Sequence, residues 1–225
     1  MNGSMTGNAA GGPILVINPN SNPDVTRGIS DALEGFRFPG GPEIECLTLA
    51  EGPFGIESLV DSDSVILPLV RLVQSRPDAA AVVIACYSDP GIDAARSVAA
   101  CPVFGIQESG TLMAMARGDR FGVIALSDRS IARHLRYLRR MQVIDRLAGE
   151  RPADLSVAES ASEGDTLETL LSAGRLLRDH DGANAIVLGC AGMARHRAAL
   201  EDALGVPVID PTQAAVAMAL GAVRI

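Results

Sequence analysis

Two cysteines are the residues best suited to chemistry in this sequence. Cys86 follows the apolar run "VVIA" and precedes "YSDPG", whereas Cys190 follows "AIVLG" and precedes "AGM". Each thiol therefore stands where a buried strand gives way to a tight turn with exposed backbone N–H groups. Such groups favour negative charge and can lower the pKa of a thiol from its usual value of about 8.5. We expect two thiols that exchange protons with a substrate.

The spacing of the chain places the two cysteines in equivalent positions of an internal repeat. Cys86 follows Ile14 by 72 positions, and Cys190 follows Phe121 by 69. The next Pro-Val strand begins 16 residues after Cys86 and 17 residues after Cys190. If a pseudo-twofold axis relates the halves, the two sulfurs face each other across one cleft. Acid/base groups on opposite faces of one carbon can invert a stereocentre.

The other cysteines and the histidines are predicted to be structural. Cys46 lies within a strand pattern and Cys101 directly precedes a proline, so both are interpreted as packing residues. No C-x-x-C pair is present, which favours free thiols. His134, His180 and His196 are scattered through Arg-rich helical stretches and are predicted to lie on the surface, so we expect no metal site. The common phosphate-loop, dinucleotide, zinc-protease and serine-hydrolase motifs are absent.

Short β-type runs alternate with helical patterns along the chain, which is typical of an α/β fold with parallel strands covered on both faces. Strands are predicted at 13–18, 43–49, 80–86, 102–106, 120–127, 154–159, 185–190 and 206–210. Helices are predicted near 24–33, 64–74, 91–99, 108–116, 129–141, 165–179, 194–203 and 211–222. We expect two pseudo-symmetric parallel-sheet α/β lobes with the active site in the cleft between them.

The predicted domain organisation begins with a flexible N-terminal extension at residues 1–12. Residues 13–106 together with about 211–225 form the first lobe, and residues 107–210 form the second. The extension lacks a charged flank followed by an apolar core, so we expect no signal peptide and a cytoplasmic location.

Charge and hydropathy restrict the partners that we expect. The chain has 27 acidic and 19 basic residues, for a formal charge of −8, which disfavours nucleic acid. The basic stretch "RHLRYLRR" at 133–140 is interpreted as the solvated face of a helix. No apolar run reaches the ~18 residues needed to span a bilayer, so we expect no membrane partner. The predicted partner is a small-molecule substrate.

Four segments together resemble the hydantoin and allantoin racemases of the aspartate/glutamate racemase superfamily. They are "ILVINPNSN", "GPFGIES", "ACYSDPG" and "VLGCAGM", in the family's order and spread over nearly the whole chain. The resemblance implies two similar α/β halves, homo-oligomeric assembly, and racemisation by two cysteines without a cofactor. On this basis Cys86 and Cys190 are the two bases.

The same resemblance implies a substrate pocket built from the strand ends. Its predicted substrate-binding residues are Asn18, Asn20, Ser21, Ile56, Glu57, Tyr87, Ser88, Gly192 and Met193. The sequence departs from the family pattern at Gly55, where relatives commonly carry Ser, and at Ser88, where they often carry Gly or Asp. These departures leave the two thiols in place and the substrate open.

The function predicted from these observations is racemisation of a 5-substituted hydantoin-like ring, either allantoin or another hydantoin. The strand-end segments offer Asn, Ser and backbone donors without Lys or Arg, which suits a neutral ring. The C5 proton of such a ring is acidic because the carbanion delocalises into the adjacent carbonyl, where N–H donors can stabilise it. Glu57 and Glu108 are open between helix-end roles and acid/base roles.

Three other functions stay open on the sequence alone. The first is cis–trans isomerisation of maleate, with one thiol adding covalently and the other acting as acid. The second is racemisation of aspartate or glutamate. The third is a non-catalytic small-molecule-binding module, in which the paired thiols have no purpose.

Overall fold

A computed structural model describes residues 11–161 and 166–223. The predicted extension at 1–12 lies outside these ranges except for its last two residues. The strands are β1 (Ile14–Asn18), β2 (Ile44–Thr48), β3 (Ala81–Ile84), β4 (Val103–Gly105), β5 (Phe121–Ala125), β6 (Leu147–Pro152), β7 (Ala185–Leu188) and β8 (Val208–Ile209). The α-helices are α1 (Pro23–Ala32), α2 (Leu59–Ser64), α3 (Ile66–Gln74), α4 (Ile92–Val98), α5 (Ile106–Arg117), α6 (Asp128–Arg140), α7 (Val157–Ser160), α8 (Thr166–Asp179), α9 (Arg197–Leu204) and α10 (Pro211–Val223).

The strands form two four-stranded parallel sheets with the same internal order. The first sheet runs β2-β1-β3-β4 and the second runs β6-β5-β7-β8. The predicted α/β class with two similar halves is confirmed. Because β3 and β7 hold the same place in their sheets, the turns that follow them are equivalent. Cys86 and Cys190 each stand two residues beyond their strand, since β3 ends at Ile84 and β7 at Leu188.

Both faces of the first sheet are covered, as expected for parallel strands. Ile14 and Val16 of β1 are fully buried in a large apolar core that continues into the second lobe. Leu15 and Ile17 point to the opposite face and pack in a second core beneath the outer helices. This alternation follows from the two-residue period of a strand. One continuous core therefore joins the lobes and fixes how their strand ends face each other.

Two long helices connect the lobes. α10 packs on β3 and β4 of the first sheet and on α5, and α5 packs on β7 of the second sheet. The chain therefore returns to the first sheet at its end. The domain boundaries at 107 and 211 remain predictions. None of the helices in the described ranges is long and apolar enough to cross a membrane.

The strand predicted at 154–159 is wrong. The edge strand is β6 (Leu147–Pro152), and residues 157–160 form the short helix α7. β6 lacks the apolar run that marked the other strands because Glu150 and Arg151 use their side chains on neighbouring elements. The start of α7 carries a capping box, in which the Ser156 hydroxyl accepts from the Glu159 N–H and the Glu159 carboxylate accepts from the Ser156 N–H.

The single helix predicted at 64–74 is two helices that meet at Val65. Pro68 has no N–H to donate to the Ser64 carbonyl, so the helical ladder is interrupted at this point. The first helix, α2, begins at a capping box formed by Ser58 and Asp61. The helical segment therefore starts five residues earlier than the apolar spacing indicated.

Candidate active site

Both predicted thiols line one cavity between the lobes. The cavity is nearly closed, with a volume of about 30 Å³, and it lies at the carboxyl ends of β3 and β7. In open parallel sheets this edge is the usual place for a ligand. The lining residues besides Cys86 and Cys190 are Asn20, Val25, Ile56, Ala85, Tyr87, Ser88, Leu126, Ser130, Arg133, His134, Val157, Gly189 and Ala191.

Cys190 is buried and is held by groups from its own lobe. The Gly192 backbone N–H donates to the Cys190 Sγ at 3.4 Å, and the Ser160 Oγ lies 3.6 Å from the same sulfur. Burial raises the pKa of the Cys190 thiol, and the Ser160 hydroxyl and the Gly192 N–H oppose this rise. A Cβ on Gly192 would lie 2.7 Å from the Ser160 Oγ, so a glycine is needed for α7 to approach the sulfur.

Cys86 is held by side chains. The Ser88 Oγ lies 3.5 Å from the Cys86 Sγ, within hydrogen-bond distance. Burial raises the pKa of the Cys86 thiol to about 12, and the neighbouring Cys190 adds to the rise. The Ser88 hydroxyl and the Arg133 guanidinium pull this pKa down. The charge of Cys190 thus disfavours ionisation of Cys86, so at most one of the two sulfurs is a thiolate at a time.

A chain of asparagines orients one donor toward the cavity. The Asn18 Nδ2 donates to the Asn20 Oδ1 at 2.9 Å, and the Asn22 backbone N–H donates to the same oxygen at 2.9 Å. With its oxygen doubly occupied, Asn20 offers only its amide nitrogen to the cavity that it lines. The "NPNSN" segment thus provides an oriented N–H donor beside the two thiols.

The loop that precedes α2 closes the cavity by binding the second lobe. The Glu57 Oε1 accepts from the Val157 N–H at 3.2 Å, and the Arg133 Nη1 donates to the Glu57 carbonyl at 3.3 Å. A Cβ on Gly55 would lie 3.1 Å from the Val157 Cβ, so glycine lets this loop lie against α7. Glu57 therefore caps a helix of the other lobe, rather than the helix that follows it, whose cap is Ser58.

Two open clefts adjoin the cavity and share Arg133 with it. Cleft A has a volume of about 390 Å³ and includes Ser88, Asp63 and Arg136 in its lining. Cleft B has a volume of about 350 Å³ and includes Ile56 and Glu57. A volume of about 30 Å³ holds one or two water molecules, so the cavity has to widen before a ring reaches the thiols.

The prediction of surface histidines is wrong for two of the three. His134 is 1% exposed, and its Nδ1 lies 3.0 Å from the Glu150 Oε2, which is equally buried. The His134 and Tyr87 rings pack edge to face, with 4.9 Å between their centroids. His196 is also buried. Among residues 11–161 and 166–223, no three His, Cys, Asp or Glu side chains form a group that could hold a metal ion.

The predicted site residues divide into those that line the cavity and those that support it. The lining group is Cys86, Cys190, Asn20, Ile56, Tyr87 and Ser88. The remaining five lie elsewhere: Asn18 orients Asn20, Ser21 binds the Pro53 carbonyl through its N–H, Glu57 lines cleft B, Gly192 holds Cys190, and Met193 is fully buried in the core. Contact of any of these residues with a substrate stays a prediction.

Several lining or supporting residues were missed because they come from outside the strand ends. Arg133 and His134 reach the cavity from α6, Val157 lines it from α7, and Ser160 approaches Cys190. The interpretation of 133–140 as a solvated face is correct for the exposed arginines but wrong for His134, Tyr137 and Leu138, which are buried. The capping box formed by Ser156 and Glu159 could have predicted the helix α7 from the sequence, but it could not predict that α7 lies beside Cys190.

Comparison with known proteins supports the class that the two sheets and the interlobe cavity define. Residues 14–219 match the Asp/Glu/Hydantoin racemase family. The hydantoin racemase of Paenarthrobacter aurescens is 37% identical, over 90% of this chain and 87% of that protein. The structure of an allantoin racemase from Klebsiella pneumoniae superposes with a TM-score of 0.88 at 32% identity, covering 94% of this chain and 87% of that one.

More distant structures share the fold alone. Arylmalonate decarboxylase superposes with a TM-score of 0.66 at 19% identity, covering 94% of this chain and 92% of that one. The chain belongs to the Asp/Glu/Hydantoin racemase family and is an isomerase of the racemase type. The resemblance stated from the four sequence segments is therefore confirmed.

Proposed function

We propose that this protein racemises 5-substituted hydantoin-like rings by moving a proton between Cys86 and Cys190 across the C5 carbon. The single observation that carries the proposal is the presence of both thiols in one interlobe cavity. The similarity to hydantoin and allantoin racemases supports the ring class. The proposed reaction needs only groups that the chain itself provides.

The proposed reaction begins with one sulfur ionised and the other protonated. The thiolate removes the C5 proton, and the electron pair of the C–H bond moves into the adjacent ring carbonyl. The opposite thiol then gives its proton to the other face of C5. The product leaves with inverted configuration, and the two sulfurs have exchanged protonation states. The swapped pair acts on the opposite enantiomer, and exchange of the thiol protons with solvent restores the starting pair and supplies the deuterium incorporated in heavy water.

Burial of the thiols supports their use as bases although it raises their pKa values. Desolvation raises the pKa of Cys86 to about 12, so a thiolate formed in this cavity is strongly basic. A strong base is required because a carbon acid gives up its proton reluctantly. Asn20 lines the same cavity with its amide nitrogen free to donate. This donor is suited to the oxygen that gains charge as the proton leaves.

Racemisation in heavy water tests the proposal. Single enantiomers of allantoin, of other 5-substituted hydantoins, of aspartate and of glutamate are incubated with the protein, and configuration and deuterium content are followed by chiral chromatography and mass spectrometry. We expect loss of optical purity and deuterium incorporation for the hydantoin-like rings. Cys86→Ser and Cys190→Ser each reduce racemisation by about 10²–10⁴-fold, the usual contribution of an acid/base group.

The two remaining cysteines provide matched controls. Cys46 and Cys101 lie outside the cavity, so Cys46→Ser and Cys101→Ser retain the racemisation rate of the parent protein. Full activity in either cavity-cysteine variant contradicts the mechanism. Turnover of an amino acid in place of every ring contradicts the substrate class. Conversion of maleate through a covalent cysteine adduct without deuterium incorporation identifies the isomerase alternative instead.

A further inference from the structure

We infer that Arg133 binds an anionic group on the substrate, so that the enzyme prefers hydantoins whose 5-substituent ends in a carboxylate. This inference rests on the proposed function and specifies its substrate class. The sequence alone favoured a neutral ring because the strand-end segments have no cation. The fold brings a cation to the cavity from α6, a helix that the strand-end pattern did not include.

Arg133 lies where the thiol cavity, cleft A and cleft B meet, and its side chain lines all three. The positive charge of Arg133 lowers the pKa of Cys86, so this charge lies near the carbon from which the sulfur removes a proton. A substituent that leaves C5 for either cleft therefore passes the guanidinium.

The guanidinium keeps donor capacity for a ligand. Its Nη1 donates to two carbonyl oxygens, those of Glu57 at 3.3 Å and Arg129 at 3.4 Å. Its Nε is buried and has no hydrogen-bond partner in the described residues. Asp61 is the nearby carboxylate, but the Glu57 and Ser58 N–H groups occupy its oxygen. Within the described ranges Arg133 makes no salt bridge, and burial lowers its pKa although the charge of Asp61 opposes this, so an anion that binds here offsets the remaining cost of desolvation.

Charge distribution favours cleft A over cleft B for that anion. Arg129, Arg133, Arg136 and Arg140 follow one face of α6 at helical spacing, and the last three line cleft A. Two of the acidic residues there are already engaged. Asp93 forms a bidentate pair with Arg140 at 2.7 and 3.0 Å, and Asp89 accepts from the Gln107 and Glu108 N–H groups.

The balance in cleft A therefore leaves Arg133 and Arg136 facing Asp63. Cleft B has the opposite balance, because Glu57, Asp128 and Asp154 accompany Arg129 and Arg133. Both clefts are continuous with the thiol cavity, so the charge balance decides between them, and a substituent directed to cleft A passes Ser88 and Arg133. A carboxylate two or three bonds from the ring would meet Arg133 on this path.

A pair of substrates of equal size tests the inference. Racemisation of 5-(2-carboxyethyl)hydantoin and of its neutral amide, 5-(2-carbamoylethyl)hydantoin, is compared as a ratio of kcat/KM values. We expect the parent protein to prefer the carboxylate by roughly 10- to 100-fold, the value of a hydrogen bond to a charged group. Arg133→Gln brings the ratio close to one, mainly through KM, and Arg133→Lys restores part of it.

Arg129→Gln is the matched control, since Arg129 shares the helix face but lines only cleft B. It changes the ratio by less than about threefold, as expected for a screened surface charge. An equal rate for the two substrates in the parent protein overturns the inference. So does an unchanged ratio in Arg133→Gln with both rates lowered, because Arg133 then acts on Cys86 or the closing loop alone.

Failure of the proposed function gives a different result. If the parent protein racemises neither hydantoin, the proposed reaction is wrong, and calorimetric binding of the same two compounds still measures the anion preference. Tighter binding of the carboxylate that is lost in Arg133→Gln supports the site. Equal binding of both compounds contradicts it.

Discussion

The two thiols occupy equivalent places in equivalent sheets, yet their surroundings differ. Cys190 has a backbone donor, the Gly192 N–H, which the turn after β7 fixes in place. Among the described residues no backbone N–H donates to the Cys86 Sγ, and the groups that act on this sulfur are the Ser88 hydroxyl and the Arg133 guanidinium. Repetition of the fold therefore reproduced the position of the sulfur and left its stabilisation to local side chains.

This difference shows how an internal repeat can provide two acid/base groups that are not interchangeable. A backbone donor is the same for every residue except proline, whereas a side-chain donor can be changed one group at a time. The Cys86 side is thus the tunable half of the site. The Cys190 side is the fixed half, and it depends on glycine at position 192 for the approach of α7.

The largest expected effect separates the two faces of the substrate. In Cys86→Ser the remaining thiol, Cys190, can remove a proton from one enantiomer only. In Cys190→Ser the remaining thiol, Cys86, can remove a proton only from the opposite enantiomer. Racemisation falls by about 10²–10⁴-fold in each variant. Exchange of C5 hydrogen for deuterium persists in one enantiomer per variant, and the two variants retain opposite enantiomers. Exchange of the same enantiomer by both variants would show that the sulfurs do not act from opposite faces.

A smaller effect distinguishes the donors of the two thiols. Ser88→Ala removes the hydroxyl that lies 3.5 Å from the Cys86 Sγ and slows deuterium exchange on that face by about tenfold at neutral pH, the equivalent of about 1.4 kcal/mol. Ser160→Ala slows exchange on the Cys190 face by only about threefold, because the Gly192 N–H remains.

The pH dependence of the Ser88→Ala variant provides its check. Loss of a donor raises the pKa of the Cys86 thiol further, so Ser88→Ala reaches a given exchange rate about one pH unit above the parent protein. An equal or larger loss in Ser160→Ala would contradict the contrast between a fixed and a tunable half.

The last comparison concerns stability, through the carboxylates that bind the first turns of the two connecting helices. Asp89 accepts from the Gln107 and Glu108 N–H groups at the start of α5, and Asp210 accepts from the Gln213 N–H in α10. Burial raises the pKa of Asp89 to about 7 and that of Asp210 to about 6. The charge of Glu108 raises the pKa of Asp89 further, whereas the charge of Arg197 lowers the pKa of Asp210.

Stability therefore depends on pH through both carboxyl groups. Each folded-state pKa lies above the unfolded value of 3.8, so this stability is fully present below about pH 4 and is lost as the pH rises through 6 and 7. The unfolding free energy of the parent protein falls between pH 5 and pH 8. We expect this fall to be about 2 kcal/mol smaller in Asp89→Asn and about 1 kcal/mol smaller in Asp210→Asn.

Chemical denaturation at both pH values measures these changes, and the slope with pH is the readout, because the asparagine side chain also alters the helix start. Parallel pH dependence in parent and variants would show that the two carboxyl groups titrate as they do in the unfolded chain.

Local pattern was sufficient for most of the fold. Buried strands such as β1 and β3 consist mainly of consecutive Val, Ile and Leu residues. Such a run can be recognised without knowing how the strand packs in the fold. The edge strand β6 was missed because Glu150 and Arg151 are committed to partners that the sequence cannot identify. The break at Val65 was missed because the apolar spacing continues across it. The helical hydrogen bonds do not, since Pro68 has no N–H to donate.

The sequence by itself determined the two strand-end thiols, since a strand run followed by a glycine- or proline-containing turn is a property of adjacent residues. Only the tertiary structure decided what surrounds them. Arg133 from α6, Ser160 beside Cys190, and Glu57 capping a helix 100 positions away all depend on how the lobes pack. Side chains that meet across a shared core leave no trace in the spacing of either segment, because their proximity arises from burial of apolar faces elsewhere.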